Sequence, residues 1–250
     1  MKHLFKWLAG VSLLLTWLIT QNAVAAQNDH DIAAQVASGK IQLAVIGAGS
    51  LGSSVGSAWV RAGYKVMFST RHPDELHALT QKLGPNALIG TPEQAASFGQ
   101  IVLLAVPYKA IPQVSHDYAT QLKGKIMLDA TNSWWSGRYA IVKEALKDGD
   151  GVVNQRYFKG VRLVRAFSAV DATVIAASSE GKRPPAGVPL ASNDPQAMQI
   201  AAELVKAAGC VPVIVGDLQA GRSFEHKHKG FRANTTPEKL RKILKLPANH

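Results

Sequence analysis

Short apolar runs alternate with longer polar segments along most of this chain. The runs have the length and the continuous hydrophobicity of strands that are buried on both faces, and the segments between them have the length of crossover helices. We predict strands over residues 41–46, 64–69, 87–90, 101–106, 125–129, 161–167, 189–192 and 211–215. Strands that alternate with helices predict an α/β protein with a doubly wound, mostly parallel sheet in a single domain.

A glycine-rich turn follows the first predicted strand. Residues 47–52 read Gly-Ala-Gly-Ser-Leu-Gly, and a helix-like segment then leads to the second strand. In a dinucleotide-binding turn the first glycine allows the tight bend, the second lets the backbone approach a pyrophosphate, and the third lets the helix pack closely on the strand. Gly47, Gly49 and Gly52 have this spacing, which predicts a Rossmann-type fold. A methyltransferase with an adenosyl cofactor and a plain βα turn are the alternatives.

The residues at the end of the second strand predict which dinucleotide binds. An NAD enzyme usually has Asp or Glu here, which accepts hydrogen bonds from the ribose hydroxyls. This chain instead has Ser69, Thr70, Arg71 and His72. Hydroxyls and a guanidinium suit a 2′-phosphate, which needs donors and positive charge. We therefore predict NADP(H) as the cofactor; the alternative is that Arg71 is a solvated loop charge.

The N-terminal residues have the pattern of a secretory signal. Lys2 and Lys6 precede an apolar stretch over 8–20, and small residues at 23–26 suit cleavage. Residues 1–26 are therefore predicted to be a cleavable signal peptide, so that the folded part is exported to the periplasm or the medium; an uncleaved anchor is the alternative. Residues 27–40 are predicted to be a polar leader with one helical turn.

Positive charge is concentrated at the C-terminus. The net charge is +11, and eight Lys or Arg residues stand against two acids from residue 222 onward. We predict an NADP-binding Rossmann domain over residues 41–222 and a basic C-terminal tail over 223–250. A solvated tail, or weak contact with an anionic membrane surface, is favoured, and no nucleic acid is expected. Cys210 is the single cysteine and is expected to be a buried small hydrophobe.

Several segments in order extend the pattern beyond the generic fold. Besides the glycine turn and residues 69–71, they are 105–108, 128–132, 164–168, 191–194 and 215–218. Together they resemble the family of NADP-dependent coenzyme F420 oxidoreductases, and the reductase domain of the STEAP metalloreductases is similar. The resemblance implies one NADPH-binding domain that passes a hydride to a flavin or deazaflavin. It also implies these positions: Gly47, Ser50, Leu51 and Gly52 at the pyrophosphate; Thr70 and Arg71 at the 2′-phosphate; Val106 and Pro107 beside the nicotinamide ribose; Ala130, Thr131 and Asn132 in the nicotinamide pocket.

The chain departs from that family where the acceptor would bind. Ser168-Ala169 stands in place of the usual Asn-Thr pair, and residues 134–136 read Trp-Trp-Ser. Pyrroline-5-carboxylate reductase shares the N-terminal half of the pattern but needs a further helical domain, whereas this chain returns to strand, helix and strand after Val188. An imine reductase of that kind is therefore the lower alternative.

Hydride transfer needs little acid–base help, so no catalytic residue is nominated. Trp134 and Trp135 either stack on a flat ring or pack as a surface loop. Asp129 is expected to be structural, and Glu225, His226 and His228 are expected to form a solvated charge run without a metal. The predicted function is an NADPH-dependent oxidoreductase with a small-molecule electron acceptor; an exported, non-catalytic NADP-sensing module is the alternative. A homodimer is a further expectation.

Overall fold

An eight-stranded sheet forms the centre of the protein. The computed structural model describes residues 27–134 and 138–247. The strands are β1 (Gln42–Ile46), β2 (Lys65–Ser69), β3 (Ala87–Gly90), β4 (Ile101–Leu104), β5 (Ile126–Asp129), β6 (Arg162–Arg165), β7 (Gly187–Ala191) and β8 (Val211–Gly216). Their order in the sheet is β3-β2-β1-β4-β5-β6-β7-β8. Every neighbouring pair is parallel except β6 and β7, which are antiparallel. The predicted fold class is confirmed.

Helices cover both faces of this sheet. A first helix, α1, covers residues 27–37 of the described chain. The others are α2 (Ser50–Arg61), α3 (His77–Leu83), α4 (Pro92–Phe98), α5 (Ile111–Asp117), α6 (Ala119–Leu122), α7 (Ala140–Asp148), α8 (Asp150–Tyr157), α9 (Ala172–Ser179), α10 (Pro195–Ala207) and α11 (Pro237–Ile243). Asp194 caps α10, since its carboxylate accepts from the N–H of Ala197 at 2.9 Å.

Successive residues of β1 point to opposite faces, and both sets are buried. Leu43 and Val45 belong to one apolar core, which includes Trp59 of α2. Ala44 and Ile46 belong to a second core on the other face. A strand that is covered on both sides has no polar face, which explains the continuous apolar runs in the sequence.

The predicted polar leader is part of the folded domain. Val36 of α1 is buried, and its carbonyl accepts a hydrogen bond from the Tyr64 hydroxyl at 2.8 Å. Asp29 pairs with Arg162 of β6, which also binds Asp194 at 2.7 Å. These contacts hold α1 against the sheet, so the expectation of a polar leader with one helical turn was wrong. The predicted signal peptide, residues 1–26, lies outside the described residues.

The expectation of a solvated C-terminal tail was also wrong. Phe224 and Leu240 are buried, and α11 packs on β7 and β8. The Gly187 N–H donates to the Thr235 carbonyl at 2.9 Å, which ties the segment to the start of β7. Residues 223–247 therefore continue the folded unit, while their basic side chains lie on its surface. In the described part of the chain no helix combines the length and the apolar character that crossing a membrane requires.

Candidate functional site

The glycine turn has the geometry that its sequence predicts. Gly47 has φ +98°, which favours glycine, and its N–H donates to the Ser69 carbonyl at 3.1 Å. A Cβ atom at Gly47 would lie 2.6 Å from the Ala105 carbonyl oxygen, and one at Gly52 would lie 2.2 Å from the Gly47 carbonyl oxygen. A Cβ at Gly49 would meet nothing within 4 Å. Two glycines are thus required by packing, and the third faces open space where a phosphate group can approach.

The N-terminus of α2 is prepared for an anion. The helix begins at Ser50, and its N-cap is Gly49, which has no side chain to accept a hydrogen bond. The first turn contains no acidic residue. The first N–H groups of a helix lack intrahelical partners, and the helix dipole adds partial positive charge at this end. A pyrophosphate above Gly49 would therefore meet both donors and a favourable field.

Thr70 and Arg71, the residues predicted for the 2′-phosphate, reach the surface at the end of β2. Thr70 is half-buried and Arg71 is exposed. Among the described residues no carboxylate forms an ion pair with Arg71, so its guanidinium is open to an anionic ligand. Ser69 differs, because it is fully buried and its hydroxyl donates to the Val45 carbonyl at 2.8 Å. Its hydroxyl joins β2 to β1, so the prediction of Ser69 as a phosphate ligand was wrong.

A cleft of about 580 Å³ continues from the glycine turn along the carboxyl ends of β4 and β5. It is lined by Gly49, Leu51, Ala105, Val106, Pro107, Tyr108, Lys109, Ala130, Thr131, Asn132, Ser133, Trp134, Arg138, Tyr139 and Val142. The structure thus brings together the residues predicted for the pyrophosphate turn and for the nicotinamide end. Thr70 and Arg71 do not line the cleft, but they follow directly on Ser69, to which the turn is hydrogen-bonded.

Buried hydrogen bonds fix the loop after β5. The Asp129 carboxylate accepts from the Thr131 N–H at 3.0 Å and from the Thr131 hydroxyl at 2.7 Å. Asn154 of α8 donates to Asp129 at 2.6 Å. Asp129 is therefore structural, as expected, because its oxygens are occupied and it is fully buried. Its effect is to hold the backbone of residues 130–132 rigidly against the cleft.

A buried arginine also holds the loop that follows β5. Arg165 of β6 is fully buried and donates to the Asp129 carboxylate at 2.9 Å and to the Thr131 carbonyl at 2.7 Å. Asp150 lies 3.6 Å from the same guanidinium. Burial alone would lower the pKa of Arg165, but the charges of Asp129, Asp150 and Glu225 outweigh it and raise that pKa. The guanidinium therefore stays charged inside the protein.

Glu225 belongs to this network, and the expectation of a solvated charge run was wrong for it. Glu225 is buried and accepts from the N–H groups of Asp150 and Gly151, at 2.8 and 3.3 Å. Burial raises the pKa of both Glu225 and Asp150, although the nearby Arg165 charge acts in the opposite direction. The C-terminal segment thereby supports α8. Asp150 of α8 in turn accepts a hydrogen bond from the Ser133 N–H at 3.3 Å, which links α8 to the cleft. Over residues 27–134 and 138–247, no three His, Cys, Asp or Glu side chains gather as a metal site would require.

Trp134 of the cleft packs against aromatic side chains of the C-terminal segment. The Trp134 ring lies 5.5 Å from His226 and 6.0 Å from Phe231, centroid to centroid. Trp134 thus packs on the C-terminal segment and also lines the cleft, and stacking on a flat ring stays a prediction. Trp135 and Ser136 lie outside the described residues.

Sequence reasoning did not nominate some residues that line the cleft. Tyr108 and Lys109 directly follow Pro107, so the end of β4 was a usable signal for them. Tyr108 is buried with its hydroxyl 3.3 Å from the Asp150 carbonyl, and burial raises the pKa of this phenol. Arg138 and Tyr139 come from a loop whose sequence carries no comparable signal.

The glycine turn and the acid-free helix N-terminus that follows it have the geometry of a dinucleotide-binding α/β domain. Residues 42–133 match the model of a family described as "NADP oxidoreductase coenzyme F420-dependent". The match confirms the resemblance stated from the sequence. It supports, in general terms, an oxidoreductase that uses NADP(H).

Solved structures share the fold over most of this chain. A hypothetical protein of Sinorhizobium meliloti aligns with a TM-score of 0.64 at 24% identity, covering 76% of this chain and 93% of its own. A protein described as an F420-dependent NADP reductase of Arthrobacter sp. FB24 aligns with 0.63 at 22% identity, covering 73% and 88%. A pyrroline-5-carboxylate reductase of Coxiella burnetii aligns with 0.53 at 17% identity, covering 70% of this chain and only 58% of its own. At these identities the likeness shows the fold.

Gly49→Ala tests the pyrophosphate position. We expect the variant to fold normally, because the new methyl group meets nothing within 4 Å and Gly49 has φ −72°. The methyl group would occupy the space of the phosphate, so affinity for NADPH and NADH should fall together, by about tenfold or more. Fluorescence titration of the reduced nicotinamides measures both affinities, and the melting temperature checks the fold. Unchanged affinities would remove Gly49 from the site.

Proposed function

We propose that this protein is an NADPH-dependent reductase that passes a hydride to a flavin or deazaflavin, or to another small planar acceptor. The observation that carries the proposal is the continuity of the cleft. It runs from the glycine turn, past the ends of β4 and β5, to Trp134, whose ring packs against Phe231. Such a path has room for an extended dinucleotide and ends beside a surface on which a flat ring can stack.

The residues of the cleft and of the strand end beside it then have roles toward NADPH. The N–H groups at the start of α2 would bind the pyrophosphate, with Gly49 allowing the approach, and Thr70 and Arg71 would bind the 2′-phosphate. Val106 and Pro107 would flank the ribose, and Ala130, Thr131 and Asn132 would line the nicotinamide pocket. Bound there, NADPH would supply the hydride.

The chain contributes positioning and exclusion of water more than acid–base chemistry. The loop over residues 130–132 is fixed by Asp129 and Arg165, whose side chains are fully buried. A rigid wall of this kind holds two rings in a reactive orientation, which is a large part of the catalysis of a hydride transfer. The N-terminal sequence supports export, so we propose that the reductase acts outside the cytoplasm.

Acceptor reduction by the protein without its signal sequence tests the proposal. NADPH and NADH are titrated first, with nicotinamide fluorescence as the readout. NADPH oxidation is then followed at 340 nm (the nicotinamide absorption) on adding FMN, FAD, a deazaflavin or a ferric chelate. Turnover with a flavin or deazaflavin supports the reductase. Tight NADPH binding without turnover on any acceptor would favour a sensing module instead.

A further inference from the structure

A second cavity of about 360 Å³ adjoins the cleft and shares Leu51, Asn132 and Trp134 with it. Its remaining lining comes from the segment after β6 and from the C-terminal segment: Ser168, Val170, Asp171, Ala172, Phe231 and Arg232. The volume is within the range of small-ligand sites, about 300–1,000 Å³. The cavity lies beyond the predicted nicotinamide pocket, where an acceptor of the proposed reaction would bind.

Two buried polar atoms of this cavity lack hydrogen-bond partners among the described residues. They are the Asn132 Oδ1 atom and the Ser168 hydroxyl oxygen. The Asn132 amide nitrogen donates to the Ser168 carbonyl at 2.8 Å, which fixes the amide and leaves its oxygen as the unpaired end. Buried polar groups are nearly always paired in folded proteins. Unlike the other unpaired buried atoms, which are on Asn154 and Arg165, these two belong to residues that line a cavity, which points to a ligand there.

The backbone beside Ser168 is unusual as well. Phe167 has φ +62°, a left-handed conformation that is uncommon outside glycine. It is held there by complete burial and by edge-to-face packing on Trp59, with the ring centroids 6.2 Å apart. Strained residues of this kind persist where the surroundings fix them, and they are concentrated at binding sites.

We propose that Asn132 and Ser168 bind a lactam or imide edge of the acceptor, a ring N–H next to a ring carbonyl. The amide oxygen of Asn132 can only accept, so it suits the N–H, and the Ser168 hydroxyl can donate to the carbonyl. The pyrimidine edge of a flavin or deazaflavin has this arrangement. The inference rests on the proposed function and names the recognition group within it.

The carboxamide of nicotinamide carries the same two groups, an N–H donor and a carbonyl. The residues that line the cleft and the second cavity favour the acceptor, and not nicotinamide, as the ligand of Asn132 and Ser168. Asn132 lines both the cleft and the second cavity, whereas Ser168 lines the second cavity and not the cleft. A ligand that reaches both side chains therefore occupies the second cavity.

Binding of lumiflavin and 3-methyllumiflavin tests the inference. The two flavins differ only in the ring N–H, which the second replaces with a methyl group. Each is titrated, by quenching of flavin fluorescence, against protein saturated with NADP⁺, so that no turnover occurs. We expect lumiflavin to bind about tenfold or more tightly than the methylated flavin, because methylation removes the donor and puts a methyl group against Asn132.

The variant Ser168→Ala supplies the second arm, with Ser178→Ala as the matched control. Ser178 is also a buried serine, but its hydroxyl already accepts from the Ala186 N–H at 3.2 Å and it lines neither space. Ser168→Ala should weaken lumiflavin several-fold and leave NADP⁺ binding unchanged, while Ser178→Ala should leave both unchanged.

Three results would overturn the inference. They are equal binding of the two flavins, no flavin binding at all, or a loss in Ser168→Ala that falls on NADP⁺ and not on lumiflavin, which would assign the pair to the carboxamide. The proposed reductase activity is tested separately by turnover on the acceptor panel. If Ser168→Ala does not fold, the comparison of the two flavins on the unaltered protein still tests whether the ring N–H is recognised.

Discussion

Replacing Arg71 with Ala is expected to lower the affinity for NADPH by about tenfold or more and to leave the affinity for NADH nearly unchanged. NADPH carries a phosphate that NADH lacks, and Arg71 follows directly on the strand end to which the glycine turn is bound. A hydrogen bond to a charged group contributes about 1.5–3 kcal/mol, which corresponds to this fall in affinity. Titrations followed by nicotinamide fluorescence give both dissociation constants.

Lys65→Ala is the matched control for Arg71→Ala. Lys65 is an exposed cation at the opposite end of the same strand, so its removal changes the net charge by the same amount. It should alter neither affinity by more than the small effect of a distant, screened charge. Equal losses of NADPH and NADH in Arg71→Ala would contradict the role assigned to its guanidinium.

The sheet was predictable because its signals are local. Each strand is a short apolar run in the sequence. In β4, for example, all four residues are apolar and all four are buried. The helix α8 has no comparable signal. In α8 the buried face includes Asp150 and Asn154, so the helix lacks an apolar stripe. Asp150 is buried because it pairs with Arg165, and Asn154 is buried because it binds Asp129. Sequence spacing does not reveal those partners.

The candidate site likewise has parts that the sequence predicts and parts that it does not. The glycine turn and the strand-end residues are contiguous in sequence, so their geometry could be predicted from spacing alone. The support of the nicotinamide loop depends on contacts between distant segments; Glu225 binds the Asp150 N–H across 75 positions. One usable signal was present, since an arginine at position 165 within an apolar strand needs buried acids around it. Ser69 shows the opposite error, because its hydroxyl joins two strands although the motif suggested a ligand.

Arg165→Met is expected to destabilise the protein by about 3–5 kcal/mol, the usual cost of removing one partner of a buried ion pair. The methionine fills most of the space, but Asp129, Asp150 and Glu225 would remain buried without the compensating charge. Urea unfolding followed by tryptophan fluorescence measures the free energy of unfolding. Arg156→Met is the control: its pair with Asp148 is at 2.6 Å but the arginine is half exposed, so the loss should stay below about 1 kcal/mol.

The pH dependence of this loss is a sharper test than its size. Arg165 lowers the pKa of Asp150 and Glu225 against the larger effect of burial. Without the arginine, the pKa values of both carboxyls in the folded state rise further above their unfolded values. A folded state with raised carboxyl pKa values binds more protons than the unfolded state, so its stability falls as pH increases. The destabilisation in Arg165→Met should therefore be largest at neutral and alkaline pH and shrink toward acid pH.

Neutralising one acid should recover part of the loss. Asp129→Asn keeps an oxygen that can accept a hydrogen bond and removes one of the uncompensated charges, so the double variant Asp129→Asn/Arg165→Met should be more stable than the sum of the single changes predicts. Asp129 and Arg165 are 2.9 Å apart, and Arg165 also binds the Thr131 carbonyl. Arg165→Met should therefore also lower the affinity for NADPH, and the double variant should recover part of that affinity. Strict additivity, together with a loss that does not change with pH, would mean that Arg165 acts only by filling space.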